Sequence, residues 1–427
     1  AAAAGYAGRY FRAVNGPVPA GFAGGVTVAE LLAAHDRRGA VNAAYLVPAA
    51  TVRARMMGLS PGQPDDGAAR RMARLVEDGL ADGALGLSTG LDYVPGQFAG
   101  AAELAALCAP VAAAGGIYVT HLRGYQGRRI AGAIAEAARI GAASGAAVHV
   151  SHLHGPAAVV EGALAAGAED LGAPLTHDSY PYLRGATLLA MLALPAAVQA
   201  GGIDATVARL GDPAVRAQLR RQWQPGPGSR VLAATVAFAS HPDFRWAEGM
   251  TVARAAGAWG DGDVTGFLCA LLAACELAVS CVTDNGPDRT EADLRQLLRR
   301  PSHMASSDAI FLGARPHPRG WGAFARLLAR HVRELGDWTW GEAAWHLSGH
   351  AARRFGLAGR GIVAAGAVAD LSVVDPARVA DQATYDHPVR AAEGTRHVVV
   401  SGEVALRDGV ITGCTAGRAL RKGDTSR

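Results

Sequence analysis

The chain has 427 residues, half of them hydrophobic, and a formal net charge of +4 at pH 7. This length accommodates an α/β barrel and a smaller domain. No uninterrupted run of 18 strongly apolar residues occurs and the basic residues are scattered, so we expect neither a membrane nor a nucleic-acid partner. The five cysteines have an odd count and no CxxC spacing, which predicts reduced thiols in a cytoplasmic protein.

Predicted strands and helices alternate at intervals of roughly 25 to 35 residues over the first half of the chain, which indicates βαβ units and a parallel sheet. Residues 1–25 are rich in Gly, Ala and Pro and are predicted to be irregular. The predicted strands cover residues 41–47, 83–88, 117–121, 147–152, 174–178, 279–283 and 304–308. The helices predicted between the early strands cover residues 70–80, 102–114, 130–143 and 157–166.

The pattern changes twice along the chain. Residues 184–276 are helical and loop-rich, and we interpret them as an insertion between two barrel strands. From residue 355, short β runs separated by turn signals are typical of a small all-β module. We therefore predict an α/β fold, with a TIM-like (β/α)8 barrel over 1–354 that contains this helical insertion, and a partial β-sandwich domain and tail over 355–427. About six barrel strands are predicted where a barrel needs eight, so the first strands are expected to lie upstream.

Two histidines and one aspartate stand at the ends of predicted parallel strands. His121 follows Ile-Tyr-Val-Thr, His152 follows Val-His-Val-Ser, and Asp308 follows Ala-Ser-Ser. The carboxyl ends of barrel strands meet at one face, where barrel enzymes carry out their chemistry. Imidazole and carboxylate suit Zn²⁺, and three protein ligands leave a position for water. A lone histidine is more often a hydrogen-bonded core residue, but the matched pair favours metal ligation. We predict one tight zinc site at these three residues and leave a second, weaker site open.

Asp308 is also the predicted catalytic residue. A carboxylate beside a metal site can take a proton from water and return it to a leaving group, although a helix cap is the alternative role. Tyr180 and Arg184 follow the strand at 174–178, where a phenol and a guanidinium suit a substrate carboxylate, although aromatic packing of the loop is an equally good interpretation. His154 and Arg319 lie on loops that follow site strands and are further candidates for substrate binding.

These residues lie in motifs through which the chain resembles the N-acyl-D-amino-acid deacylases (D-aminoacylases) of the amidohydrolase superfamily. The resemblance extends from about residue 42 to about residue 413. The matching segments are residues 83–93, 118–123, 150–153, 178–182, 307–308, 315–319, 352–357 and 366–376. It implies a TIM-like barrel beside a β-sandwich, and zinc-dependent hydrolysis of the amide bond of a small N-acyl amino acid. It leaves the oligomeric state open.

The resemblance also implies residue roles. His121 and His152 would be zinc ligands. Asp308 would be the acid/base and a possible ligand of a second, weaker metal, and Tyr180 would contact the substrate carboxylate.

The sequence departs from the family pattern in three ways. The His-x-His pair of the first barrel strand and a metal-binding cysteine after it are absent, so we expect about 80 to 100 further residues upstream, and expect this span alone to fold and catalyse poorly. A lysine that many relatives have two residues after the second zinc histidine is His154 here. A serine common after Tyr-Pro-Tyr is replaced by Gly185-Ala186. The last two differences leave the amino-acid substrate open.

Two other interpretations compete with the deacylase. A cyclic amidohydrolase of the dihydroorotase or hydantoinase type would use the same metal chemistry, but residues 1–308 contain no lysine that could be carboxylated to bridge two metals. An inactive fragment or binding protein is the non-enzymatic alternative, supported by the absent first strands.

Overall fold

The computed structural model describes residues 2–127, 129–223, 229–260, 262–284, 286 and 289–424. Three sheets lie within these ranges: one parallel and two antiparallel. The strands are β1 (Val47–Pro48), β2 (Gly86–Gly90), β3 (Ile117–His121), β4 (Ala147–Val150), β5 (Thr176–Ser179), β6 (Arg184–Leu188), β7 (Thr235–Ala239), β8 (Val279–Asp284), β9 (His303–Ala305), β10 (Leu371–Val374), β11 (Thr395–Val400), β12 (Glu403–Arg407) and β13 (Val410–Ile411).

The α-helices connect these strands and build the insertion. They are α1 (Ala2–Tyr10), α2 (Arg12–Asn15), α3 (Val28–His35), α4 (Ala49–Met57), α5 (Asp66–Ala81), α6 (Ala101–Ala113), α7 (Arg129–Ser144), α8 (Ala157–Leu171), α9 (Leu189–Ala193), α10 (Ala196–Gln199), α11 (Ile203–Gly211), α12 (Pro213–Gln222), α13 (Arg230–Ala233), α14 (Val252–Trp259), α15 (Val264–Ala274), α16 (Glu291–Leu298), α17 (Arg319–Arg326), α18 (Trp340–Ala344) and α19 (His350–Arg354). Short 3₁₀ turns occupy Ala20–Phe22, Gly96–Phe98 and Pro242–Ala247, and π-helical turns occupy Leu327–Glu334 and Trp345–Gly349.

The main sheet has six parallel strands in the order β1-β2-β3-β4-β5-β9. Its crossover helices bury their apolar faces against it; α7, for example, buries Ile130, Ile134 and Ile140. Parallel strands joined by helices on one face are the α/β-barrel arrangement, so the predicted fold class is confirmed. All strand carboxyl ends lie at the same edge, which brings the loops after β2, β3, β4 and β9 together.

The insertion contains a second sheet, in which β8 lies between β6 and β7 and pairs antiparallel with both. The assignment of residues 279–283 to the barrel was therefore wrong. These residues do form a strand, but their partners are 184–188 and 235–239, and the insertion is not only helical. The third sheet, β10-β11-β12-β13, is antiparallel and follows the barrel in sequence. That the barrel domain ends at residue 354 and the β domain begins at residue 355 stays a proposal.

Residues 2–10 and 12–15 are helical, which corrects the expectation of an irregular segment over residues 1–25. Two tyrosines hold this segment in place: the Tyr6 hydroxyl donates to the Val94 carbonyl at 2.8 Å, and the Tyr10 hydroxyl donates to Gln199 Oε1 at 2.8 Å. Both bonds are buried and join residues far apart in sequence. The five cysteines are free, as expected, and no helix in the described ranges is long and apolar enough to cross a bilayer.

A buried ion pair joins α4 to α6 beneath the loop that follows β2. The Arg53 guanidinium contacts the Glu103 carboxylate, and both side chains are almost completely buried. Arg53 also donates to the Gly62 carbonyl at 2.5 Å. Burial raises the pKa of Glu103, although Arg53 opposes this effect. The pair therefore fixes two helices on either side of a loop that leads into the functional site.

Removing one member of this pair leaves the other charge buried and uncompensated. We expect Arg53→Met to lower the free energy of unfolding by about 3–5 kcal/mol, and Arg53→Met combined with Glu103→Leu to recover most of the loss. Urea unfolding of the wild type, the single variant and the double variant measures this. A loss below about 1 kcal/mol in the single variant would show that water reaches the pair.

Candidate active site

A cavity of about 390 Å³ opens at the carboxyl ends of the parallel strands. One side is polar and the other apolar. The polar lining includes Asp92, His121, Arg123, Tyr125, His152, His154, Tyr180, Asp308 and Arg319. The structure therefore brings six of the seven predicted site residues to one cavity: His121, His152, His154, Tyr180, Asp308 and Arg319.

The centre of the polar side is a pair of facing imidazoles. His121 Nδ1 lies 2.6 Å from His152 Nε2. On its other edge, His121 Nε2 lies 2.7 Å from Asp92 Oδ2, but outside hydrogen-bond geometry. Two nitrogen lone pairs repel at such a distance, so a proton or a cation must lie between the rings. We call His121 and His152 the histidine pair.

The two histidines reach this point by different backbone routes. His121 is the last residue of β3 and pairs in register with Gly90 of β2. His152 lies two residues beyond β4 and has a φ of 37°. A non-glycine residue in the left-handed region is strained and needs support from its surroundings.

Asp178, on β5, supplies that support. Its Oδ1 accepts a hydrogen bond from the backbone N–H of His152 at 2.9 Å. Its Oδ2 accepts one from Nε2–H of His149 at 3.0 Å. Burial alone would raise the pKa of Asp178, but the hydrogen bond from His149 and the neighbouring imidazoles bring it below its usual range. The ionised carboxylate therefore connects β4, β5 and the turn that carries His152.

Tyr125 packs against every histidine of the cavity. Its ring lies 5.0 Å from that of His121, 5.1 Å from that of His152, and stacks on that of His154 at 4.8 Å. Its hydroxyl accepts the Leu122 N–H and donates to the Ser151 carbonyl, so both histidine-bearing loops are tied to one side chain.

Burial keeps two of these imidazoles neutral. Burial, and then the neighbouring His121, lowers the pKa of His152 to about 4. Burial and the Arg289 guanidinium lower that of His154 well below its ordinary value. Neutral His152 has a lone pair for a metal. Neutral His154 donates from Nδ1 to the His152 carbonyl at 3.0 Å. It therefore cannot neutralise a carboxylate as a lysine would.

Asp308 lies opposite the histidine pair and has a φ of 45°, three residues beyond β9. Its Oδ2 lies 2.7 Å from Arg319 Nη2, and the two groups form an ion pair. The Arg319 guanidinium lies 4.4 Å from the centre of the Tyr180 ring, and that of Arg289 lies 4.7 Å from the same ring. Tyr180 is therefore held between two buried cations, an arrangement worth about 2 kcal/mol or more when desolvated.

Arg184 does not reach this cavity. It is the first residue of β6, and its guanidinium lies over the Tyr385 ring at 4.5 Å, in a separate cavity of about 250 Å³. Its place beside Tyr180 and Tyr182 in sequence therefore predicted the wrong location. His317, in the matching segment 315–319, is another histidine near the site that could be considered as a proton carrier, but its contacts leave it no free nitrogen. Its Nδ1 accepts the Arg319 N–H and its Nε2–H donates to the Arg184 carbonyl, so both nitrogens are occupied.

Sequence reasoning missed Asp92, Tyr125 and Asp178 as site residues. Asp92 lies within the quoted 83–93 motif, and Asp178 ends a predicted strand, so its position at a strand end was an available signal. Tyr125 lies on a loop without a recognisable pattern.

The buried polar atoms of the cavity are of the kind that a metal ion binds. His121 Nε2 and Asp92 Oδ1 are buried without a hydrogen-bond partner, and the facing ring nitrogens are the donor type that Zn²⁺ prefers. The histidine pair therefore fits a zinc ion. Ligation by Asp308 stays a prediction, because Arg319 pairs with only one of its carboxylate oxygens. No group of three His, Cys, Asp or Glu in the described ranges encloses an ion.

Fold and cavity together define an α/β-barrel protein whose functional site lies at the carboxyl ends of its strands. The Amidohydrolase family model matches residues 23–406, and the chain belongs to this family. A D-aminoacylase from Alcaligenes xylosoxydans xylosoxydans is 32% identical over 397 residues, which cover 90% of this chain and 71% of that protein.

Two solved structures are also similar. One, from a study of the binuclear metal centre of D-aminoacylase, has a TM-score of 0.75 and 29% identity and covers 93% of this chain and 76% of its own. The other is N-acyl-D-glutamate deacylase from Bordetella bronchiseptica, complexed with zinc and a phosphonate inhibitor. It has a TM-score of 0.78 and 28% identity and covers 98% of this chain and 78% of its own.

The role of Asp178 predicts a pH-dependent loss of stability. Asp178→Asn removes the charge that accepts the His152 N–H, so we expect a decrease of about 1–3 kcal/mol in the free energy of unfolding at pH 7. The folded-state pKa lies below the unfolded value of about 4, so the contribution is present above that pH and is lost as pH falls through the folded pKa. Denaturant unfolding from pH 7 to pH 3 should show wild type and variant converging. Exposed Asp243→Asn is the control; a constant difference across this range would contradict the assignment.

Proposed function

We propose that this protein hydrolyses the amide bond of N-acyl-D-amino acids to a carboxylate and a D-amino acid, with zinc held by His121 and His152. The observation that carries the proposal is the histidine pair facing the Asp308–Arg319 ion pair across one cavity, in a chain similar to D-aminoacylase over nearly its whole length. Zinc bound at the pair supplies a Lewis acid for the amide carbonyl and lowers the pKa of water toward about 7. One tight ion is proposed, and a second, weaker one remains open.

The chain's own residues move the proton. Arg319 occupies Oδ2 of Asp308, which leaves the second carboxylate oxygen for the attacking water. Asp308 takes the proton of that water as its oxygen adds to the carbonyl carbon. It then gives the proton to the leaving nitrogen as the C–N bond breaks. The ion pair with the buried Arg319 guanidinium holds the Asp308 side chain in place between the two steps.

Substrate orientation is assigned to Tyr180, Arg319 and His154. Arg319 has a buried Nε without a partner, and Tyr180 is fixed between two guanidinium groups. These groups present hydrogen-bond donors for the substrate carboxylate. His154 is neutral and offers Nε2 as an acceptor. Arg184 has no place in this proposal, because its side chain lies in another cavity.

The function itself is tested by turnover. Zinc-loaded protein is incubated with N-acetyl-D- and N-acetyl-L-amino acids, and the free amino acid is quantified by chromatography. We expect hydrolysis of D substrates only. Zinc binding without hydrolysis of any D substrate would overturn the proposal.

The histidine pair should determine zinc content. We expect His121→Ala and His152→Ala each to weaken zinc binding by more than the roughly 10–100-fold that loss of a supporting residue costs. Elemental analysis after dialysis against a zinc buffer measures this, with exposed His35→Ala as the matched control. Retention of stoichiometric zinc in both variants would move the site elsewhere.

Asp308 should affect turnover far more than zinc content. Asp308→Asn keeps the shape of the side chain but cannot carry the proton, so kcat should fall by roughly 10²–10⁴. Zinc content should stay close to that of the wild type, because Asp308 does not belong to the histidine pair. Steady-state kinetics and elemental analysis of the same preparation separate the two effects. A kcat near the wild-type value would show that another group carries the proton.

A further inference from the structure

Part of the cavity lining is apolar. Four side chains form this surface: Phe11, Val14, Met191 and Leu192. All four pack against the core of the insertion and are only partly buried. Their remaining surface is therefore available to whatever fills the cavity. We call these four residues the apolar wall.

Half of the apolar wall comes from outside the family-matched part of the chain. The family model begins at residue 23, whereas Phe11 precedes α2 and Val14 belongs to it. Tyr6 and Tyr10, through their buried hydrogen bonds to Val94 and Gln199, hold the segment in place. The family model therefore does not cover this half of the wall.

The apolar wall is close to the reacting centre. The Phe11 ring contacts that of Tyr93 at 5.6 Å, and Tyr93 contacts that of His121 at 5.3 Å. One aromatic ring thus separates Phe11 from the histidine pair. A group attached to an amide held at that pair would lie against the wall.

The charges of the cavity do not favour an additional anionic group at this position. None of the four wall residues is ionisable. Four arginines line the cavity. Arg129 is exposed and Arg230 donates to the Asp284 carbonyl at 3.4 Å, whereas Arg123 is paired with Glu136 and Arg319 with Asp308. The two paired guanidinium groups already have carboxylate partners, so a second substrate carboxylate would have to compete for them.

We propose that the apolar wall binds the hydrocarbon part of the substrate and that Phe11 and Val14 determine specificity for it. This inference rests on the proposed function and names the substrate class of the same site: N-acyl-D-amino acids with a large apolar group. The hydrocarbon belongs either to the amino-acid side chain or to the acyl chain. Both present the same chemistry, and each additional methylene on an apolar surface changes kcat/KM by roughly 10–200-fold.

Two substrate series distinguish these sources. The first keeps the acetyl group and varies the amino acid through D-alanine, D-leucine, D-phenylalanine and D-glutamate. The second keeps D-alanine and varies the acyl group through acetyl, butanoyl and hexanoyl. We expect kcat/KM to rise at least tenfold along one series, and the series in which it rises identifies the source.

Variants then assign the preference to the wall. Val14→Thr keeps the shape of the side chain and adds a hydroxyl, and Phe11→Ala removes the ring. Both should lower the ratio of kcat/KM for the large apolar substrate to kcat/KM for N-acetyl-D-alanine at least tenfold. Val18→Thr is the matched control, because Val18 lies on the same segment, is exposed and does not line the cavity. Val14→Thr keeps the test valid if Phe11→Ala does not fold.

Binding provides a readout that does not depend on turnover. Calorimetry on the zinc-loaded Asp308→Asn variant gives dissociation constants for N-acetyl-D-leucine, N-acetyl-D-alanine and N-hexanoyl-D-alanine. Tighter binding of a larger substrate, lost in Val14→Thr, supports the inference even if the wild type hydrolyses nothing and the proposed function fails. Four results would overturn the inference. They are kcat/KM values that do not change along either series, a preference for N-acetyl-D-glutamate, equal or undetectable binding of the three ligands, and an unchanged substrate preference in both wall variants.

Discussion

The geometry of the site depends on the two hydrogen bonds accepted by the Asp178 carboxylate. His152 occupies a left-handed backbone conformation that costs about 1–3 kcal/mol, and the Asp178 carboxylate accepts the N–H of that residue. The same carboxylate also accepts a hydrogen bond from Nε2–H of His149, on the neighbouring strand β4. Strand β5 therefore determines where the turn after β4 lies, and that turn determines whether the ring of His152 meets that of His121. Tyr125 then fills the space beside both rings and completes the arrangement.

Around this frame, two ion pairs lie beside imidazoles of which burial keeps His152 and His154 neutral. Asp308 is paired with Arg319, and Arg123 with Glu136. Neutral His152 keeps a lone pair for a cation, and the Asp92 carboxylate lies beside His121. The four residues of the apolar wall line the same cavity. The proposed metal-binding and hydrocarbon-binding residues thus share one space of about 390 Å³.

The sequence predicted correctly those site residues whose position follows from a local strand pattern. His121 ends a β-branched run, and the predicted bounds of that strand match those of β3. His152 and Asp308 reach the expected cavity, but neither is part of a strand, because hydrophobic periodicity does not reveal a left-handed turn residue.

Residues 279–283 were identified as a strand and assigned to the wrong sheet, since strand propensity does not specify a distant antiparallel partner. The helical start was hidden by its Gly and Ala content, because its stability comes from hydrogen bonds to residues far along the chain. Arg184 was misplaced because the aromatic ring it covers, Tyr385, lies about 200 positions away.

The pairing of β6 with β8 has a further consequence for how such a protein can diversify. Leu188 at the end of β6 pairs with Ser280 near the start of β8, so the 91 residues between them leave and return at adjacent points. A chain excursion with adjoining ends can lengthen, shorten or be exchanged without altering the path of the barrel. Thr187 and Thr283, on the two paired strands, remain in the cavity lining whatever the excursion contains. The excursion supplies Met191 and Leu192 to the opposite side, so its replacement would redesign the binding surface while the histidine pair stayed in place. The histidine pair and this part of the binding surface are therefore carried by different segments of the chain.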